Sequence, residues 1–403
     1  MITAAVVTDD ESARRTARFP IGATITMDDL AEAHHEHVLD ALRESEPLSW
    51  LPQVGMWLAT GYAVAREVLG SEATTVDVDA NLVRESLGPM MLTSDGGEHK
   101  RLRTPFDPAF RQSQVLGRFV EIIDEEVERC LVPVRPRGSC DLAPAFATPY
   151  AVAMAGRMLG IELDQAARIN EFYEAFAGAM VYDGNPEPQL RANRARAELD
   201  EILGRQVARL RRAPNDSITS IVVNAGDDTV SEDEVVAQLR VIMFGAIETV
   251  QSAIVNTLYL LFEHPDQLEL VREDPDLLPN ACEEAMRLLP PVSFIERWVV
   301  DEFVTGEVVL GQGEFIGVSV LAANRDASQF NDPLRFDVRR ANANRGLSFS
   351  FGAHHCIGIR LARLEIAAAV RAWLDLPGLR VAEAAPPEGF VFRRSPALAL
   401  SWS

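Results

Sequence analysis

The sequence predicts a mainly α-helical protein with small β-sheets, read as one domain, and three features carry that prediction. From Val115 to Asn280 apolar residues recur at helical spacing, as in Phe119, Ile122, Ile123 and Val127, and again in Leu199, Ile202, Leu203 and Leu210. From Arg297 to Val320 the texture changes, with Val, Phe, Ile and Gly alternating with polar residues as in short strands. Prolines punctuate the helical part: His264-Pro265 and Pro290-Pro291 each close a periodic stretch.

In chain order, residues 1–18 read as a mobile tail and 19–403 as the single domain. Trp50 to Thr60 suits a short hairpin, and Tyr62 to Leu69 a short helix ended by Gly70. Ser71 to Ser94, with Gly88-Pro89, reads as a long loop of the kind that carries function. Ala213-Pro214-Asn215-Asp216 and Asn224 to Asp228 are breaks. A long helix is predicted from Ser231, with Glu234 at capping-box spacing, through to Glu263. Another spans Asp274 to Leu289 and stops at the proline pair. Asn324 to Ala353 is loop-like, Ile357 to Asp375 is helical, and Phe390 to Trp402 suits a closing hairpin.

Composition narrows the partners. A net charge of −22 argues against nucleic acid or an anionic membrane. The longest apolar stretches are broken by Asn, Glu or Arg, so no membrane span is expected. The first residues carry Asp9, Asp10 and Glu11 and lack the apolar core of a signal peptide. The four cysteines sit at no metal-ligand spacing and suit a reducing, cytoplasmic compartment.

The chemistry concentrates in Phe349-Ser350-Phe351-Gly352-Ala353-His354-His355-Cys356-Ile357-Gly358, followed by Leu361-Ala362-Arg363. A cysteine just before a helix presents its sulfur where backbone N–H groups stabilise a thiolate. Gly352 and Gly358 permit a tight loop and close approach by a flat ligand. Glu284 and Arg287 lie one turn apart on a helical face, in reach of a charge-assisted bridge. In Gly245-Ala246-Ile247-Glu248-Thr249 an acid sits inside an apolar helix and needs a partner, water or a raised pKa. Thr249 beside it can bond a carbonyl one turn back and open the helix locally. Each feature alone has a plain alternative: a buried cysteine at a helix start, a surface Glu-Arg pair, a buried structural Glu.

Together these stretches resemble the cytochrome P450 superfamily, and the matches spread over most of the chain. The resemblance implies a P450-like single-domain fold around a buried heme b, with Cys356 as the thiolate ligand that favours O–O cleavage. By the same resemblance Phe349 packs near the sulfur, and His354, His99, Arg103 and Arg297 grip heme propionates. Glu284, Arg287 and Arg335 match the family's structural triad behind the heme loop. Glu248 and Thr249 match the pair that relays protons to bound dioxygen. Phe244, Ile247, Val292, Phe294, Ile295 and Phe392, with the Ser71–Ser94 loop, are expected to line an apolar substrate pocket.

The implied activity is monooxygenation of a largely apolar small molecule in secondary metabolism, by a monomer reduced by a ferredoxin-type donor with a separate reductase. Arg101, Arg111, Arg345 and Arg360 are expected at that donor's docking surface. A heme-based sensor or electron carrier, and a peroxide-driven oxygenase, are the alternatives. An acid–alcohol pair favours the first reading, because a carrier does not need one.

Overall fold

A computed structural model of the chain describes residues 8–31, 35–161, 166–180, 185–226 and 229–403. Its contacts divide the chain into two compact units, each assembled from separate stretches. The first comprises Met1–Val76, Ser252–Cys356 and Leu374–Ser401, and the second Asp77–Gln251, Ile357–Trp373 and Trp402–Ser403.

The first unit opens with α1 (Asp9–Arg18), α2 (Met27–Ala31), α3 (Glu36–Ser45), β1 (Leu48–Leu51), β2 (Met56–Ala59), α4 (Tyr62–Gly70) and β3 (Thr74–Thr75). Within the stretch read as a tail, Asp9–Arg18 is helical, while residues 1–7 lie outside the described residues. Thr8 caps α1, and acidic residues fill its first turn, where the helix dipole favours them. Arg15 then anchors the helix by bonding the buried Glu314 and lying 5.0 Å over the Trp50 and Trp57 rings. The hairpin forms as read, with Leu48 opposite Ala59 and Leu51 opposite Met56.

The second unit contributes α5 (Leu82–Leu87), α6 (Gly96–Arg103), α7 (Gln112–Leu131), β4 (Ser139–Asp141), α8 (Thr148–Leu159), α9 (Ala166–Ala179), α10 (Pro186–Arg212) and α11 (Ile218–Val223). It also holds most of α12 (Glu232–Glu263). The 71–94 stretch is more ordered than a loop, since β3 and α5 lie within it. Asn81 caps α5 by accepting the Arg84 N–H at 3.0 Å. Six residues are too few for helical periodicity to declare itself in sequence. The capping box of α12 is present: the Ser231 N–H donates to the Glu234 carboxylate at 2.7 Å, and the Glu234 N–H to the Ser231 hydroxyl at 3.3 Å. By length and composition α12 is apolar enough to cross a membrane, contrary to the sequence expectation, with an 18-residue window of mean hydropathy 1.4. That window is 83% buried inside the protein, as a core helix would be.

The remaining elements are α13 (Pro265–Glu273), α14 (Leu278–Leu288), β5 (Phe294–Val299), β6 (Glu302–Thr305), β7 (Val308–Gly311), β8 (Phe315–Ser319), α15 (Val320–Ala323), α16 (Ile359–Leu374), β9 (Arg380–Ala384) and β10 (Leu398–Ser401). A five-stranded sheet in the order β1-β2-β8-β5-β3 forms in the first unit, with β2 and β8 parallel. Its inner faces pack Trp57, Ile316 and Phe330 in one cluster and Leu58, Phe294 and Leu321 in another. The predicted closing hairpin is corrected, because β10 pairs with β9 rather than with residues after Phe390. Pro386, Pro387 and Pro396 lack ladder donors, and between them Phe392 makes only an isolated bridge to Val292. In the second unit Phe146 stacks on Tyr150 at 5.6 Å and meets the Trp373 edge at 5.5 Å.

Candidate active site

The cysteine loop belongs to the first unit and is held at both ends. The Cys356 N–H donates to the Phe349 carbonyl at 2.9 Å, closing the loop on itself. Ser350 and Gly352 take positive φ angles of 62° and 76°. A Cβ at Gly352 would lie 2.6 Å from the Leu69 carbonyl oxygen, so the loop rests directly on the end of α4. Phe351 packs against Gly70, and the Arg66 guanidinium covers its ring at 4.2 Å. The chain enters α16 three residues after Cys356, with the Ala362 N–H bonding the Gly358 carbonyl at 2.9 Å. Gly352→Ala should therefore lower the melting temperature and the heme content together. The backbone strain alone is about 1–3 kcal/mol, and the collision with backbone adds to it. Wild-type melting and heme occupancy in that variant would show that the loop can yield.

Behind the loop stands a buried charge network. Glu284 and Arg287 on α14 are fully buried and pair bidentately at 2.7 and 2.8 Å. The third member is a correction: Arg340, not Arg335, donates to Glu284 at 2.9 Å. Arg335 is exposed and offers only its backbone carbonyl, to Arg287 at 3.3 Å and Arg340 at 2.9 Å. Arg287 also donates to the Asn324 carbonyl at 2.7 Å. The Asn324 side chain in turn accepts the Leu347 N–H at 2.6 Å and donates to Ser348 at 2.9 Å. Ser348 precedes Phe349, so the network sets the position where the cysteine loop begins.

The acid–alcohol pair lies in the second unit, on α12. The Thr249 hydroxyl donates to the Gly245 carbonyl at 2.6 Å, one turn back as expected. The predicted local opening is not found; α12 stays α-helical through this turn. Glu248 is buried, and its Oε2 accepts bonds from the Tyr173 hydroxyl and, at 3.0 Å, from the Gln251 amide. Phe244, one turn before Glu248, is buried with Tyr173 and Phe176 against its ring. Ile247 is fully buried.

His99 and Arg103 stand one turn apart on α6, which ends ahead of Pro105. His99 is buried, and Arg103 spends one donor on Asp107 at 3.2 Å. Arg297 on β5 is buried in the first unit and bonds the Glu296 carbonyl at 2.7 Å. His354 closes a short turn beside the cysteine. Phe294 is a correction to the pocket residues, because its ring fills the sheet core, 4.5 Å from Phe390 and against Gly317. Its neighbour Ile295 points to the opposite face, where it packs on the cluster of Trp57 and Ile316. Val292 and Phe392 are partly buried and bridge each other.

The family model for cytochrome P450 matches residues 191–375. The chain is 34% identical over 316 residues to Cytochrome P450 107B1 of Saccharopolyspora erythraea, covering 77% of this chain and 75% of the relative. The chain belongs to the cytochrome P450 family. It is also 34% identical to the 6-deoxyerythronolide B hydroxylase of the same organism, over 82% of this chain and 85% of that one. Among solved structures, P450BioI in complex with hexadec-9Z-enoic acid ligated acyl carrier protein matches with a TM-score of 0.84 and 26% identity. That match covers 93% of this chain and 99% of that one.

As a P450, the protein is a heme monooxygenase whose cofactor is heme b and which uses a substrate and a redox partner. Its residues fit that cofactor. Cys356 is in no disulfide and is partly exposed, and among the described residues no group of three His, Cys, Asp or Glu could hold a metal unaided. A single sulfur donor would suit an iron that brings its other ligands with the porphyrin. Sequence reasoning did not single out Arg340, Tyr173, Gln251 or Glu365, all of which are buried. Glu365 falls on the apolar face of α16 with Leu361, Ile366 and Ala369, and burial pushes its carboxyl up to about 8. That face was readable from spacing alone.

Proposed function

We propose that this P450 inserts one oxygen atom from dioxygen into a C–H or C=C bond of a largely apolar secondary metabolite. The balance is one substrate, one dioxygen, two electrons and two protons, giving oxygenated product and one water. Heme would supply the oxygen-activating chemistry, and Cys356 would hold its iron as a thiolate. The observation that carries the reading is a buried acid beside an alcohol on the partly buried turn Gly245–Thr249 of α12. Glu248 and Thr249 hold and pass protons there, a task a sensor or carrier lacks. The relative named 6-deoxyerythronolide B hydroxylase supports hydroxylation, one form of this oxygen insertion.

His99, Arg103, Arg297 and His354 are assigned to the heme propionates, Gly358 to close approach by the ring, and Phe349 to the surroundings of the sulfur. Phe244, Ile247, Val292, Ile295 and Phe392 are assigned to substrate. The electron donor is a ferredoxin-type protein served by a separate reductase. Arg111, Arg345 and Arg360 are exposed and suit its docking. Arg101 is dropped from that set, because Glu98 and Glu234 already neutralise it. The chain works as a monomer in the cytoplasm, with residues 19–403 as its single domain.

Thr249→Ala tests the reading. Heme content and the substrate-induced spin shift should match wild type, while product per NADPH falls about threefold or more and peroxide accounts for the difference. An unchanged product yield would reduce the pair to a structural feature.

A further inference from the structure

A hydrogen-bonded chain of side chains reaches Glu248 from two other helices of the same unit. Tyr173 on α9 donates to Oε2 of Glu248. The Gln251 amide nitrogen donates to the same oxygen at 3.0 Å and to the Tyr173 hydroxyl at 2.6 Å. Thr148, the first residue of α8, donates to the Gln251 carbonyl oxygen at 2.5 Å, which fixes which way that amide faces. Tyr173, Glu248 and Gln251 are all buried. Tyr173 faces α12 because it falls on the apolar stripe Ile169, Phe172, Phe176 of α9.

The arrangement fixes one oxygen of the carboxyl twice over. A phenol and an amide both donate to Oε2, so the carboxyl cannot turn about its last torsion without breaking both bonds. Any proton that Glu248 exchanges is then carried on Oε1. The same Tyr173 ring lies 6.1 Å from the Phe244 ring, and Phe176 meets Phe244 edge-on at 6.4 Å. One tyrosine thus touches both the acid and the aromatic residue assigned to substrate.

We infer that Tyr173 is a positioning residue for proton transfer by Glu248, acting with Gln251 and linking α9 to the acid. The inference rests on Glu248 being the proton-handling acid. Tyr173 does not itself touch the reacting atoms; it sets which carboxyl oxygen serves them. A mobile carboxyl would present the proton in the productive direction for less of the time, and oxygen activation would leak to peroxide.

Tyr173→Phe removes the hydroxyl and keeps the ring on Phe244, so folding, heme content and the spin-shift dissociation constant for a turnover substrate should stay within about twofold of wild type. Product per NADPH should fall about three- to tenfold, and the solvent deuterium isotope effect on turnover should rise, since proton delivery becomes slower relative to other steps. Gln251→Leu should act in the same direction. Glu248→Gln, measured alongside, separates the two ideas. If Glu248→Gln leaves coupling and isotope effect untouched, the acid assignment fails and this inference with it. If Glu248→Gln uncouples the enzyme but Tyr173→Phe matches wild type in both readouts, the positioning role alone is overturned. A variant that loses only substrate affinity, with coupling and isotope effect intact, also overturns it by making Tyr173 a packing residue.

Discussion

Glu284→Ala should yield apoprotein or aggregate instead of heme-loaded enzyme. Glu284 receives donors from Arg287 and Arg340 and the Asp337 N–H at 3.0 Å, with Glu284 and Arg287 fully buried and Arg340 nearly so. Removing it strands two buried guanidinium groups, and breaking a buried pair in this way costs about 3–5 kcal/mol. That loss is comparable to a large part of the stability of an ordinary domain. The damage also propagates, because Arg287 positions Asn324, and Asn324 positions the residues that lead into the cysteine loop. Arg340→Ala should be nearly as severe, whereas Arg335→Ala should be mild, since only the Arg335 backbone takes part. Heme content per purified chain and urea midpoints check all three. Equal damage from Arg335 and Arg340 would contradict the network drawn here.

Cys356→Ser should abolish monooxygenation while leaving the loop's backbone contacts in place. Serine keeps the N–H that bonds Phe349 and fits the same volume, but its hydroxyl is not ionised near neutral pH and gives iron no thiolate. Folding measured without heme should change little, because serine keeps the backbone N–H that closes the loop on the Phe349 carbonyl. Product formation should fall to the assay background, and any heme retained should lose the thiolate signature. Retained turnover in the serine variant would mean that another residue ligates the iron.

Much of this was legible in the sequence for identifiable reasons. The Ser231–Glu234 capping box, the long period of α12 and the glycine-spaced cysteine loop are local signals, and local signals survive folding unchanged. What escaped was non-local. Arg335 and Arg340 sit five residues apart in one loop, and only the path of the chain through the turn at Asp332, with φ of 44°, decides which side chain reaches Glu284. Phe294 and Ile295 alternate across a strand, so the choice of which one meets the core depends on the sheet register against Gly317. Tyr173 looked like one more member of an apolar stripe; its hydroxyl gained meaning only when α9 was set against Glu248.

The most direct measurement is the absorption spectrum of the dithionite-reduced, carbon monoxide-bound protein. With Cys356 as a thiolate opposite the carbon monoxide, the Soret band should move far to the red of its position in histidine-ligated hemes. Freshly prepared, folded wild-type protein that instead gives the spectrum of a histidine-ligated heme would contradict the assignment of Cys356, and with it the account of the site.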